Sequence, residues 1–391
     1  MASPTAETGR IGELDALRGF ALLGVFIVHF VGLNYWEMPV DPSIREAWND
    51  SMLHFGAAFA SDLFFVDKAN TLFATLFGMG FWVMMTRLQS RSDNFERLYL
   101  RRLSALFVLG VINLVFLFPL DVLHDYAIVG FALFLLRGLT MRAMLIAGLA
   151  LTFAADPVLS AIVDVFVGQE EEPTQTTPIA QAYLPWVKLN VLDFIETEFQ
   201  EGGAFSWWLY ILGRFLLGAW VIRAGWLEAD PSRTVTITRL CAFGLIVGGA
   251  SELFSVLIFY GFLDLPAALD IAVHACSAPL IALGYACGVV LVFRSDRFGA
   301  VARYFSPVGK IALTAYVAHG AAHLLIFMPF GLDLAGTLGP GFALPVILAL
   351  FAAIQAAATL WLRHYRFGPL EYVWRWATYG TKPAWRLPAA T

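Results

Sequence analysis

Arg18 and His29 stand eleven residues apart in an apolar stretch that reads Leu14-Asp15-Ala16-Leu17-Arg18-Gly19-Phe20-Ala21-Leu22-Leu23-Gly24 and runs on to the histidine. In an α-helix, eleven residues come within about 20° of three full turns and rise ~16 Å, so both side chains share one face. A guanidinium at the mouth of such a groove suits a phosphate, which it grips through a bidentate fork. A histidine deeper on that face suits proton transfer, because its pKa lies near neutrality. The plainer alternative is a cationic anchor at a membrane surface and a hydrogen-bonded core histidine.

Other ionisable side chains also fall in apolar surroundings. Inside a bilayer each costs at least ~2.5–3.5 kcal/mol, so each needs a reason. They are Asp62, Asp67, Lys68, Asp156, Asp164, Arg214, Glu252, His274, His319 and His323, joined by Asp121, His124 and Asp125 in a short connection. Asp67, Lys68, His124, Arg214, Glu252, His319 and His323 are the candidates for holding a substrate. Two ion pairs, Lys68 with Asp67 and Arg214 with Glu252, are the alternative. Asp156, just before Pro157, could instead cap a broken helix. His319 and His323 are four apart and share a helix face. No HExxH context or cysteine–histidine cluster surrounds them, so no metal site is expected. Cys241, Cys276 and Cys287 read as apolar fillers.

The elements that position these residues follow from composition. Of 391 residues, 59% are hydrophobic and 14% charged, about half the charge of a soluble domain. One water-soluble core could not hide so much apolar surface. A net charge of −5, no basic tract and three cysteines exclude disorder, nucleic-acid binding and a disulfide scaffold. The remaining class is an all-α polytopic membrane bundle.

Ten segments meet the ~20-residue requirement for a span: 17–36, 61–86, 100–118, 122–137, 141–167, 204–224, 234–262, 269–293, 307–330 and 341–363. The fourth is short and the second carries charge. Together they make a transmembrane domain over 1–363, and the Trp- and Arg-rich tail 364–391 reads as an interfacial, cytoplasmic segment. The outer loop 168–203 holds no domain of its own, only a short surface helix around 185–200. Gly244/Gly248 and Gly284/Gly288 suit close packing of the seventh and eighth spans.

Numbering the ends in order places 21 of the 25 Lys and Arg on one side; the other four are Arg45 and Lys188 outside and Lys68 and Arg214 within spans. The positive-inside rule then makes both termini cytoplasmic and puts most intramembrane polar groups at the midplane or in the outer half. The expectation is a polar cavity opening outward in a multi-pass membrane protein.

Several segments resemble the YeiB-like family of bacterial inner-membrane proteins: Leu14–Gly24, Leu76-Phe77-Gly78-Met79-Gly80-Phe81, Asp121-Val122-Leu123 leading into Tyr126-Ala127, Pro307-Val308-Gly309-Lys310-Ile311-Ala312-Leu313-Thr314, and Phe367-Gly368-Pro369-Leu370-Glu371-Tyr372-Val373-Trp374-Arg375 with Thr378-Tyr379-Gly380. The resemblance spans essentially the whole chain. It implies a place in a transmembrane acyltransferase superfamily whose members pass an acyl group from cytosolic acyl-CoA to a glycan acceptor across the membrane. Where the family usually has asparagine this chain has His29, and the arginine–ten residues–histidine spacing instead matches the O-acyltransferase branch. Lys310 stands in place of an arginine, and Ala315 in place of an asparagine.

On that resemblance, Arg18 and His29 are the expected catalytic pair. Arg18, Arg97, Arg101 and Arg102 would hold the phosphates of the acyl-CoA, and the outer polar groups a glycan or small-molecule acceptor. Two readings of another class stand beside it. Histidines at similar depth could ligate haem or hydrogen-bond a quinone, and coupled acidic and basic groups could relay protons in a transporter. Membrane lipids are the expected surroundings; a homodimer is compatible with the sequence.

Overall fold

The computed structural model describes residues 12–32, 41–90, 94–166, 181–195, 203–228 and 230–387. Among them the extended regular elements are all helices, and each of the ten expected spans is occupied by helix. The first, α1 (Gly12–Ile27), runs directly into a π-helical turn, Val28–Gly32, that contains His29. A short helix α2 (Pro42–Asp50) is started by Asp41, whose carboxylate accepts from Ser43 N at 2.8 Å.

The second expected span is two helices. Helix α3 (Met52–Phe64) ends at a turn over Phe65–Asp67, and α4 (Lys68–Gln89) begins on the next residue. Asp67 takes φ +58°, in the left-handed region, which a non-glycine residue adopts at a cost and mostly at functional or strained sites. The charges noted in this span therefore sit at a helix break, where freed backbone groups and side chains can face a cavity.

Next come α5 (Phe95–Phe116), α6 (Leu123–Leu135), α7 (Met141–Phe166) and α8 (Tyr183–Ile195), the last matching the short helix expected in the outer loop. It is tied to the end of α5 by Asn190, which donates to Leu114 O, and by the Tyr183 hydroxyl, which donates to Phe116 O at 2.7 Å. The side chains of Asp156 and Asp164 lie outside the described residues. The chain continues with α9 (Gly203–Arg223), α10 (Pro231–Phe243), a second π-helical turn over Gly244–Gly248, α11 (Gly249–Phe259) and α12 (Ala267–Arg294). Helices α13 (Gly299–Tyr304) and α14 (Ser306–Lys310) are short, and α15 (Ala312–Phe327), α16 (Pro340–Trp361) and α17 (Pro369–Tyr379) complete the order.

Seven of these helical stretches are long and apolar enough to cross a membrane. The other three expected spans are shorter: α6 with 13 residues, the apolar Met141–Ala155 part of α7, and α15 with 16. Many of the exposed large side chains are apolar, among them Leu135, Ile146, Ile246 and Leu360, as a lipid-facing surface requires. The protein is a multi-pass membrane helix bundle.

Helix α1 is at the centre, packed on α4, α12, α14 and α16. It approaches α14 so closely that a Cβ on Gly19 would run into the Phe305 carbonyl, and one on Gly309 into the Asp15 carbonyl. Only glycine allows that contact. The expected small-residue contact also forms: a Cβ on Gly244 would lie 2.7 Å from Gly284 N.

Candidate functional site

His29 owes its setting to the π-helical turn, a feature that recurs at functional sites because it redirects side chains that a regular helix would bury. Its Nδ1 lies 2.6 Å from Nε2 of His319, and the two rings are stacked. His319 Nδ1 in turn bonds the Tyr316 carbonyl oxygen. A carbonyl only accepts, so His319 Nδ1 carries the hydrogen and its Nε2 is the acceptor. His29 must then donate through Nδ1, which leaves its Nε2 with a lone pair. That nitrogen has no hydrogen bond with a described residue, and His29 lines the main cavity.

The cavity measures about 610 Å³ and gathers much of what the sequence marked out. Besides His29, its walls include Asp62, Asp121, His124, Asp125, Glu252 and His274. His124 sits between two carboxylates, Asp121 at 3.5 Å and Asp125 at 3.3 Å. Asp121 lies in the connection between α5 and α6, where burial pushes its carboxyl above the usual range against the pull of His124 and Asn113.

Along one wall runs a charge quartet, in which Lys68 and Glu252 are buried and Asp67 and His274 are partly exposed. Lys68 Nζ pairs with Glu252, and also donates to the Asp62 carbonyl oxygen at 2.6 Å. His274 bridges Glu252 through Nδ1 at 3.0 Å and Asp67 through Nε2 at 2.8 Å. Ser277 donates to the second Glu252 oxygen. Both ring nitrogens of His274 face ionised acceptors, which makes it an imidazolium. Two cations and two carboxylates then balance.

The two pairings expected from sequence are thereby corrected. Lys68 bonds not its neighbour Asp67 but Glu252, because the first residue of α4 points across the helix break toward α11. Arg214 does not reach Glu252. It lies 3.1 Å from the centroid of the Tyr210 ring, and donates from Nε to Thr71 at 3.1 Å and from a terminal nitrogen to the Tyr210 carbonyl at 2.8 Å. Of the seven substrate-binding candidates, His124 and Glu252 line the cavity, whereas Asp67, Lys68, Arg214, His319 and His323 do not. His323 is wedged among Phe30, Phe118 and Phe327, its buried Nε2 without a partner among the described residues.

The far end of α1 forms a second, basic cluster. Arg18 is 3.5 Å from Asp15 and close enough to Gly80 that a Cβ there would touch it at 2.8 Å. Arg102 lies within the electrostatic reach of both Arg18 and Arg375. Its guanidinium stacks 3.6 Å from the Trp374 ring centroid, and its buried Nε has no partner among the described residues. The four arginines expected to act together separate here. Arg97 and Arg101 line a different hollow on the outside of α5, where Arg101 donates to Ala377 O at 2.8 Å.

Sequence reasoning missed Arg375 as a partner of this cluster, having assigned the tail to lipid headgroups. Instead α17 is fastened to the bundle. Trp374 Nε1 donates to Arg102 O at 2.8 Å, and Glu371 accepts from Leu313 N at 2.8 Å and Thr314 Oγ1 at 2.6 Å. Also missed were Trp207 and Trp208, whose indole N–H groups hold Asp125 at 3.1 and 2.8 Å, and Asp270, which accepts from Ser255. The tryptophan pair and the aspartates near span ends were the available signal, but the tryptophans read equally as an aromatic belt.

Residues 221–381 match a family described as a protein of unknown function, DUF418. The uncharacterised protein YxaH of Bacillus subtilis is 31% identical, with 96% of each chain aligned. The uncharacterised protein YeiB of Escherichia coli is 29% identical over 93% of this chain and 95% of its own. An uncharacterised 39.9 kDa protein encoded in an amylase 3′ region of Bacillus acidopullulyticus is 27% identical over 97% and 96%.

Proposed function

The chain belongs to the YeiB-like DUF418 family, and from that footing we propose that it is a transmembrane acyltransferase of a bacterial inner membrane, moving an acyl group from cytosolic acyl-CoA to an acceptor hydroxyl or amine held in the cavity. The observation that carries this reading is the His29–His319–Tyr316 chain, which leaves a cavity-lining histidine with a ring nitrogen not hydrogen-bonded to any described residue. A nitrogen so oriented by a second group is the arrangement of a general base.

Arg18, on the same helix and ~16 Å away along its axis, would take the phosphates of the donor together with Arg102 and Arg375. His29 Nε2 would accept the acceptor's proton as its oxygen or nitrogen attacks the thioester carbonyl. The C–S bond breaks, and the leaving thiolate takes the proton back. Four of the five segments that carry the family resemblance support this division, since Leu14–Gly24, Leu76–Phe81, Pro307–Thr314 and the tail all meet around Arg18 and Arg102. The test is transfer from labelled acyl-CoA in membranes: His29→Ala abolishes it while the protein still accumulates and folds. Full activity in that variant would sink the assignment.

A second reading is favoured by the quartet at the break between α3 and α4, which suits proton-coupled transport. Uptake into proteoliposomes that stops in Glu252→Gln, with His29→Ala unaffected, would choose it. For a haem, His319 and His274 are each engaged at both ring nitrogens, so neither offers an axial position without losing a bond.

A further inference from the structure

The cavity has a sign. Its walls carry the carboxylates of Asp62, Asp121, Asp125, Glu252 and Asp270, and no lysine or arginine among the described residues. Glu252 belongs to the balanced quartet and leaves no net charge. Neutral donors reach each of the remaining carboxylates: Tyr260 on Asp62 at 2.7 Å, Trp207 and Trp208 on Asp125, Asn113 on Asp121 at 2.8 Å, and Ser255 on Asp270. Such donors orient a carboxylate without neutralising it. His124, between Asp121 and Asp125, supplies at most one positive charge. The walls therefore stay negative even with Asp121 protonated.

Two further features point to an occupant. The side-chain amide of Asn70 and Nε2 of His29 both belong to cavity-lining residues and have no hydrogen bond with a described residue. Phe194, Trp207 and Phe259 add aromatic surface to the same walls.

We propose that the cavity binds an organic cation, a primary ammonium on an apolar skeleton, with the ammonium against Asp270 and Asp125 and the skeleton on the aromatic rings. Identifying this amine as the acyl acceptor rests on the transfer reading above. In that case the ammonium first loses one proton to His29 Nε2. The neutral amine attacks the thioester carbonyl carbon, a C–N bond forms as the C–S bond breaks, and the products are an amide, a free thiol and one released proton.

Binding is tested without any acyl donor, on full-length protein in detergent, by calorimetric titration with n-hexylammonium, n-hexanol and n-hexanoate. The ammonium binds, the alcohol and the carboxylate bind at least tenfold more weakly, and added KCl weakens the ammonium alone. Asp270→Asn and Asp125→Asn, each with native thermal unfolding, lower the ammonium affinity about tenfold. Equal binding of hexanol or hexanoate to the native protein overturns the proposal whether or not the variants fold, and so does full affinity in both folded variants. Ammonium binding without acyl transfer keeps the cavity assignment and removes the enzyme reading. Transfer to an alcohol without ammonium binding does the reverse.

Discussion

His29 donates to His319 across 2.6 Å, and that single bond decides which nitrogen of His29 is basic. His319 is completely buried, is stacked on Phe26, and is anchored at its other nitrogen by the Tyr316 carbonyl. It is a positioning residue, acting through His29 without meeting the cavity. Replacing it with phenylalanine keeps the stack and removes the acceptor. The expected result is a fall in kcat of tenfold or more with little change in KM for the acyl donor, whereas a general base itself is worth about 10²–10⁴. His319→Gln retains an acceptor and should recover part of the loss. Equal activity in both variants would show that the ring only fills space.

Lys68 and Glu252 form an ion pair with both side chains at 0% exposure. Removing one member of such a pair leaves the other charge buried, at a cost of about 3–5 kcal/mol. Lys68→Met should therefore lower the unfolding temperature sharply. The double variant Lys68→Met/Glu252→Gln should be more stable than Lys68→Met alone. Additive effects would mean that the two groups do not interact.

Arg102 and Arg97 separate two ideas of the basic end. Arg102 stacks on Trp374 near Arg18, while Arg97 faces the outer hollow. With acyl-CoA as donor, Arg102→Gln should raise KM about tenfold, the worth of one charge-assisted hydrogen bond. Arg97→Gln should leave KM within twofold. A larger effect at Arg97 would move the phosphate site to that hollow.

Glu371 connects the tail to the start of α15, and burial holds its carboxyl above the ordinary value of 4.5 despite hydrogen bonds from Thr314 and Leu313. The folded protein thus binds the proton more tightly than the unfolded chain, so this group's contribution is largest in acid. It declines as pH rises from about the unfolded value through the folded one. The unfolding temperature of the native protein, followed upward from pH 4, should show that decline. Glu371→Gln, which keeps an acceptor oxygen but cannot ionise, should flatten it. An unchanged slope in the variant would place the pH dependence elsewhere.

The helical class and the ten apolar segments were legible in the chain. Each depends on local composition and on helical periodicity, which act within a few turns. The same local rules read 61–86 as one span, because no proline or glycine marks the break at Asp67. Within the first span they gave no sign of the π-helical turn at His29.

Partnership was decided only in three dimensions. Sequence proximity favoured Lys68 with Asp67, but the helix break aims the lysine at Glu252, 184 positions away. His319 lies 290 positions from the His29 nitrogen that it orients. Arg101 and Arg102 are adjacent, yet helical geometry turns them about 100° apart, so one meets the tail's backbone and the other its tryptophan. Charge scarcity, visible from composition, determined that each intramembrane polar group would need a partner. Which partner it found depended on the packing of distant helices, where a few ångströms separate an ion pair from an unsatisfied charge.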